Sequence, residues 1–267
     1  MMSKAQVNHI EIAYSIHGSG DPLILIGGFG QVRETWRLQV DDFKKDFSVI
    51  TFDNRGVGNS TVPSEPFTIA DMAEDTVGLM DALGIESAHI FGVSMGGLIS
   101  QTIALDHPKQ VKKVCLGCTS HGGRHAVQPA PQVFATLALA SDPSIPPEQA
   151  IRKALPYTFS ERFIREEPEK VEEYVQMTLK HQPTPKGATG QMAALSVFNV
   201  KRRLGEIQCP VLVITGTEDR LMPPENAHLL AEGIPNAELY RVEGAGHAFC
   251  QEKPEEVNKI IADFFKK

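Results

Sequence analysis

Cysteine is scarce in this chain, with four among 267 residues, and that excludes a disulfide-stapled scaffold. Cys115 and Cys118 form a CxxC pair, but both fall in one strand-like run, VKKVCLGC, and no second Cys or His pair stands nearby at zinc spacing. Buried free thiols are the expectation, with no metal and no redox role. No run of about 18 apolar residues exists, so no membrane-spanning helix is expected. The opening MMSKAQVNHIEI lacks the apolar core of a signal peptide, which predicts a cytoplasmic protein without a membrane partner. Basic clusters are missing too: the formal charge is −7, and the longest basic run, Lys201-Arg202-Arg203, reads as a solvated helix end rather than a nucleic-acid patch. Glycines gather at GGFG (27–30), yet neither a full GxGxxG nor a Walker lysine accompanies them. No cofactor is expected.

What is present is ordinary globular composition, 42% hydrophobic and 22% charged. HIEIAYSIHGSGDP alternates apolar and polar residues and ends in a turn, as an opening antiparallel strand or hairpin would. Short continuous apolar runs follow: LILIGG from Leu23, FSVITFD from Phe47, AHIFGVS from Ala88, VCLGC from Val114, VLVITG from Val211 and ELYRVEG from Glu238. Such runs suit strands of a parallel sheet covered on both faces. Between them, Ile69, Met72, Ala73, Val77, Met80 and Leu83 recur at helical spacing, with Thr68 as N-cap, Asp71 three residues on and Gly84 at the end. A second helix is predicted from Met95 to Asp106, stopped by His107-Pro108. Alternation of this kind builds a parallel sheet from right-handed βαβ units. From about His121 to Gly205 it lapses: no clear buried strand occurs, nine of the 18 prolines gather there, and apolar residues from Phe134 to Phe198 fall at helical intervals. A helical insertion is predicted.

Gly92-Val93-Ser94-Met95-Gly96 is a Gly-x-Ser-x-Gly pentapeptide lying between a predicted strand and a predicted helix. A serine on so sharp a turn projects its hydroxyl above the sheet edge, and the following helix aims its N-terminal amides at the place where negative charge develops in acyl transfer. Such a serine needs a base, and the base an orienting acid. His247 stands in the glycine-rich GAGHAF, just after the last predicted strand, where sites in parallel sheets collect. The eight other histidines read mostly as surface residues. Asp219 follows the strand VLVITG, with Glu218 as its nearest rival. The order Ser94, Asp219, His247 fits the Ser, acid, His order of this kind of sheet.

With these motifs in hand, the chain resembles the α/β-hydrolase superfamily over nearly its full length. The matching segments are GGFG (27–30), FDNRGVGNS (52–60), GVSMGG (92–97), GTEDRLMPP (216–224) and GAGHAFCQEKPEEV (244–257). Within the superfamily it most resembles small carboxylesterases and 3-oxoadipate enol-lactonase-like hydrolases. The resemblance implies an α/β-hydrolase fold: a mostly parallel twisted sheet with flanking helices, a core of residues 1–120 and 206–267, and an inserted helical cap at 121–205. It implies an oxyanion hole made by the backbone N–H groups of Phe29 and Met95. Many members have His-Gly where this chain has Gly27-Gly28; the donor is a backbone group, so the change bears on the loop's rigidity rather than on the donor itself. Asp53, Arg55, Gly56, Gly58 and Ser60 match another family segment, read as a structural turn beside the site. The implied partner is a small, mostly apolar ester or lactone, cleaved through an acyl-enzyme. Cofactor-free perhydrolysis, carbon-carbon bond hydrolysis and a low-turnover ligand-binding role stay open, since fold analogy does not separate them. A carboxylate-bearing substrate would need a cationic partner, for which His121, Arg124 and His125 are the nearest candidates.

Overall fold

An eight-stranded sheet runs through the molecule in the order β1-β2-β4-β3-β5-β6-β7-β8. The structure, a computed structural model, describes residues 2–139 and 144–267. The strands are β1 (Ser3–Val7), β2 (Ile10–His17), β3 (Asp21–Ile26), β4 (Phe47–Phe52), β5 (Ala88–Val93), β6 (Val111–Gly117), β7 (Val211–Gly216) and β8 (Ala237–Val242). β2 runs antiparallel to β1 and β4, and all other pairings are parallel. The predicted runs therefore become the parallel strands. β1 was not foreseen, because SKAQV is a mostly exposed edge strand without an apolar run. It forms through a two-residue turn: Val7 pairs with Ile10, and Asn8 and His9 take φ of 46° and 65°. Positive φ at both positions is the hairpin geometry whose twist matches the strands.

Successive residues of a strand face opposite sides, and the core divides accordingly. Ile24, Ile26 and Ile90 pack under α2 (Ile69–Ala82) and α3 (Met95–Asp106), while Leu23, Leu25 and Phe91 pack under α1 (Arg37–Phe43) and a C-terminal helix at 254–266. α2 begins as predicted: Thr68 Oγ1 accepts from Asp71 N at 3.2 Å, and Thr68 N donates to Asp71 Oδ2 at 2.7 Å. Gly84 follows its end at φ 68°.

Between β6 and β7 the described residues form five α-helices: α4 (Pro131–Ala138), α5 (Pro147–Thr158), α6 (Glu161–Glu166), α7 (Pro168–Lys180) and α8 (Pro185–Val197). Four of them start on proline, which explains the proline enrichment: at the first helical position the missing N–H has no partner to lose. Of the expected cap, residues 140–143 lie outside the described residues. Leu155, Phe159, Phe163, Val171 and Val175 give this region a small apolar core of its own. Its two ends meet, with Gly122 bridged to Asn199 and Val200 N donating to His121 O at 2.9 Å. Lys201-Arg202-Arg203 opens a short 3-10 turn, where Arg203 pairs with Asp106 at 2.9 Å and Glu206 at 3.1 Å. The chain closes with α9 (Glu225–Gly233), α10 (Phe249–Glu252) and α11 (Pro254–Lys266). Among the described residues, no helix is long and apolar enough to cross a membrane.

Candidate active site

β5, β6, β7 and β8 are neighbouring parallel strands, so the loops after their carboxyl ends gather along one edge of the sheet. Ser94 is the hinge between β5 and α3. Its backbone, at φ 55° and ψ −119°, lies where few residues other than glycine settle, and strain of this kind persists only if the surroundings fix it. They do. Ser94 N donates to Gly117 O at 2.8 Å, and Thr119 Oγ1 donates to Ser94 O at 2.8 Å. Both pentapeptide glycines are sterically required: a Cβ on Gly92 would sit 2.2 Å from Gly96 O, and one on Gly96 would sit 2.0 Å from Ile26 O.

The loops after β7 and β8 bring Asp219 and His247 together, with Asp219 Oδ2 2.8 Å from His247 Nδ1. The other carboxylate oxygen, Oδ1, accepts from Leu221 N at 2.8 Å and Met222 N at 2.7 Å. Asp219 is thus fully engaged and buried, whereas Glu218 is exposed, which decides between the two rivals for contact with His247. With its Nδ1 on the carboxylate, the imidazole keeps Nε2 for another partner.

On the far side of Ser94 lies the loop after β3. A Cβ on Gly28 would meet Ser94 Cβ at 3.2 Å and Val93 O at 3.3 Å, so this backbone lies close against the serine. Gly28 N donates to Gln31 Oε1 at 2.7 Å and Gly28 O accepts from Gln31 N at 3.2 Å. Gly30 N donates to Gln191 Oε1 at 2.9 Å. Among the described residues, the N–H groups of Phe29 and Met95 donate to no protein acceptor. The loop that replaces His-Gly is therefore held by two glutamine side chains, neither of which the sequence singled out.

An alpha/beta hydrolase fold model matches residues 21–254, spanning every segment of this site. The chain belongs to the α/β-hydrolase fold family. Membership supports a hydrolase activity. Among curated relatives, the chain is 29% identical over 263 residues to RutD of Azorhizobium caulinodans, a protein named for carbamate hydrolysis, with 98% of each chain covered. It is 31% identical over 261 residues to BpoC of Mycobacterium tuberculosis, named as a non-heme bromoperoxidase, covering 96% of this chain and 98% of that one. Among solved structures it is similar to the enol-lactonase from Burkholderia xenovorans LB400, with a TM-score of 0.88, 27% identity, and 99% and 100% of the two chains covered.

The segment 52–60 buttresses the site. Asp53 is fully buried, accepts from Arg33 N and Asn59 N at 2.8 Å each, and forms an ion pair with Arg33. Burial pushes its carboxyl up from the ordinary value, against the pull of those donors. Arg55 clamps Asp75 through Nε at 2.5 Å and Nη2 at 2.7 Å. Asn54 Nδ2 ties this loop to Gly27 O at 3.1 Å, beside the serine.

Two expectations need correction. His89 and His121 are not surface residues, being 4% and 1% exposed. Each has one ring nitrogen without a hydrogen-bond partner, Nδ1 of His89 and Nε2 of His121. Of the proposed cationic partners, Arg124 and His125 are exposed, while His121 is buried with Nδ1 2.8 Å from Gly122 O. The CxxC thiols are buried as expected, yet Cys118 lies at the site: among the described residues, its Sγ, Asp219 and His247 form the one group of metal-capable side chains, within 4.8 Å of one another. Burial, then the charge of Asp219, pushes the Cys118 thiol well up from the ordinary value, so it is a protonated neighbour of a dyad already hydrogen-bonded to itself.

Proposed function

We propose that the protein is a serine hydrolase that cleaves a carboxylic ester or lactone of a small, mostly apolar substrate through an acyl-enzyme, with Ser94, His247 and Asp219 as its catalytic triad. The observation that carries this reading is the 2.8 Å contact between His247 Nδ1 and Asp219 Oδ2, at the same sheet edge as a serine held at φ 55°. His247 takes the Ser94 proton as Oγ bonds to the carbonyl carbon. The oxyanion is received by the N–H groups of Phe29 and Met95, and the C–O bond breaks as His247 returns the proton to the leaving alcohol. Water, deprotonated by the same imidazole, then releases the acid and regenerates Ser94. Asp219 orients the ring and stabilises its cation. The insertion at 121–205 is read as the cap over the acyl pocket.

The enol-lactonase neighbour supports the lactone half of this reading, and the carbamate-named relative extends the test to carbamates. The bromoperoxidase-named relative favours a second reading on the same triad: hydrogen peroxide in place of water would release a peracid. A panel of aryl esters, lactones and carbamates graded by acyl length, run with and without peroxide, separates these outcomes. Ser94→Ala should lose about 10⁵-fold or more in kcat, because nucleophile and base act as a unit, and an arylsulfonyl fluoride should add one label, on Ser94. Undiminished turnover in Ser94→Ala, or labelling elsewhere, would sink the assignment.

A further inference from the structure

Resting on that reading, we infer that Gln191, on the inserted helix α8, is a positioning residue for the oxyanion hole, so that the cap contributes to the chemical step and not only to substrate choice. Gln191 is fully buried, and an amide is placed there at a cost unless its donors and acceptor are met. Both ends are met by loops of the core: Oε1 accepts from Gly30 N at 2.9 Å, and Nε2 donates to Arg55 O at 3.0 Å. One side chain thus joins the loop after β3 to the loop after β4, across 161 residues of sequence on one side and 136 on the other.

The effect on Phe29 follows from peptide geometry. The Gly28–Phe29 peptide is planar and trans, so its C=O and N–H point in opposite directions. Gln31 N holds that C=O at 3.2 Å, which turns the Phe29 N–H the other way. The flanking donors, Gly28 N and Gly30 N, are occupied by Gln31 Oε1 and Gln191 Oε1, and the Phe29 N–H between them is left for substrate. Gln31 fixes the loop from within. Gln191 fixes it from the cap, and the same helix presses close elsewhere: a Cβ on Gly187 would sit 1.9 Å from Gly56 O. With two glycines at 27 and 28, this loop has little stiffness of its own.

The test is Gln191→Met, close in shape but without either hydrogen bond, measured with a good aryl ester and with phenylboronic acid, whose serine adduct mimics the tetrahedral intermediate. The expected result is a fall in kcat of about 10- to 100-fold, less than loss of a whole oxyanion donor, with KM within about twofold. Ki for phenylboronic acid should rise by a comparable factor. A residue that only glues the cap in place would move KM or thermal stability and leave boronate affinity alone. Native kcat and native boronate affinity in folded Gln191→Met, with turnover lost in Ser94→Ala, overturns the inference alone; undiminished turnover in Ser94→Ala overturns the serine-hydrolase reading together with it. Should Gln191→Met fail to fold, amide NMR of the unaltered protein decides. The Gly30 N–H should exchange slowly and the Phe29 and Met95 N–H signals should shift on boronate binding; a fast-exchanging Gly30 or an unmoved Phe29 overturns the inference.

Discussion

The two ends of the parallel strands hold their buried polar groups differently, His121 with its unpartnered Nε2 being an exception at the carboxyl ends. At the carboxyl ends, Ser94 and Cys118 sit at φ 55° and 42°, and the polar side chains around them are tied to one another: Asp219 to His247, Gln191 to Gly30 and Arg55, Asn54 to Gly27. At the amino ends, His89 is buried with Nδ1 unpartnered, its ring against Phe47 and Phe265 at centroid distances of 6.0 Å and 4.9 Å. A tied group holds a geometry; an untied one only lowers stability when its charge changes. Substitutions at the first edge should therefore show in turnover, and at the second in pH-dependent stability.

The largest effect belongs to Asp219. Asp219→Asn keeps the shape of the loop but presents an amide to His247 Nδ1, which disfavours the tautomer needed at Nε2, and kcat should fall about 10³- to 10⁴-fold. Glu218→Gln, an exposed neighbour, should stay within about threefold. Equal losses in the two variants would return the choice of acid to the sequence-level ambiguity.

That ambiguity shows where sequence reading stops. The strands were legible because a strand covered on both faces must be continuously apolar, as β5 and β7 are; β1, an exposed edge, carries no such mark. Thr68 with Asp71, and the pentapeptide around Ser94, were legible because cap and turn chemistry acts over three or four residues. Gln31, Gln191 and Glu252 were not: an isolated glutamine or glutamate has no pattern, and its partner lies up to 161 residues away. Cys118 was read correctly as buried but not as a neighbour of Asp219, since only the adjacency of β6 and β7 brings them together. His89 and His121 are the exceptions to a reading that placed the other histidines mostly at the surface, since a lone histidine carries no pattern that marks its burial.

At the amino edge, His89 gives the next effect in size. Burial first, then the charge of Lys112, holds its imidazole down from 6.5 to about 4, against the pull of Asp21 and with a smaller push from Lys113. Between these values the unfolded chain binds a proton that the folded chain refuses, so stability falls as pH drops through that window and the loss is complete below about 4. The contribution is up to about 3 kcal/mol. His89→Gln should therefore lose less stability than the unaltered protein between pH 7 and about pH 4.5 in urea unfolding, with turnover at pH 7 unchanged. Identical pH slopes would mean that the site protonates without cost in the fold.

The smallest effect tests whether the carboxyl edge is one tied unit. Glu252, in α10, is the counterpart of Gln191 on the acid-base side: its Oε1 accepts from Gly246 N at 2.9 Å and from Ser160 N at 3.0 Å, and its Oε2 from Ser160 Oγ at 2.6 Å. Gly246 immediately precedes His247, and Ser160 stands where α5 gives way to α6, so one carboxylate bolts the insertion to the histidine loop. A second bond, Ala248 N to Thr158 O at 2.8 Å, runs beside it. Glu252→Gln retains the shape but replaces one acceptor oxygen with an NH₂ that cannot accept, so either Ser160 or Gly246 loses a charge-assisted partner. The expected cost is about 1 to 2 kcal/mol, a drop of about 2 to 8 °C in Tm for a chain of this length. If the bolt also holds His247 in register with Ser94, kcat should fall about threefold to tenfold with the fold intact, because a small misplacement of the base is felt in the chemical step. A lower Tm with kcat unchanged would show that the histidine loop stands without the insertion, and would confine the insertion's proposed part in catalysis to the proposed oxyanion side.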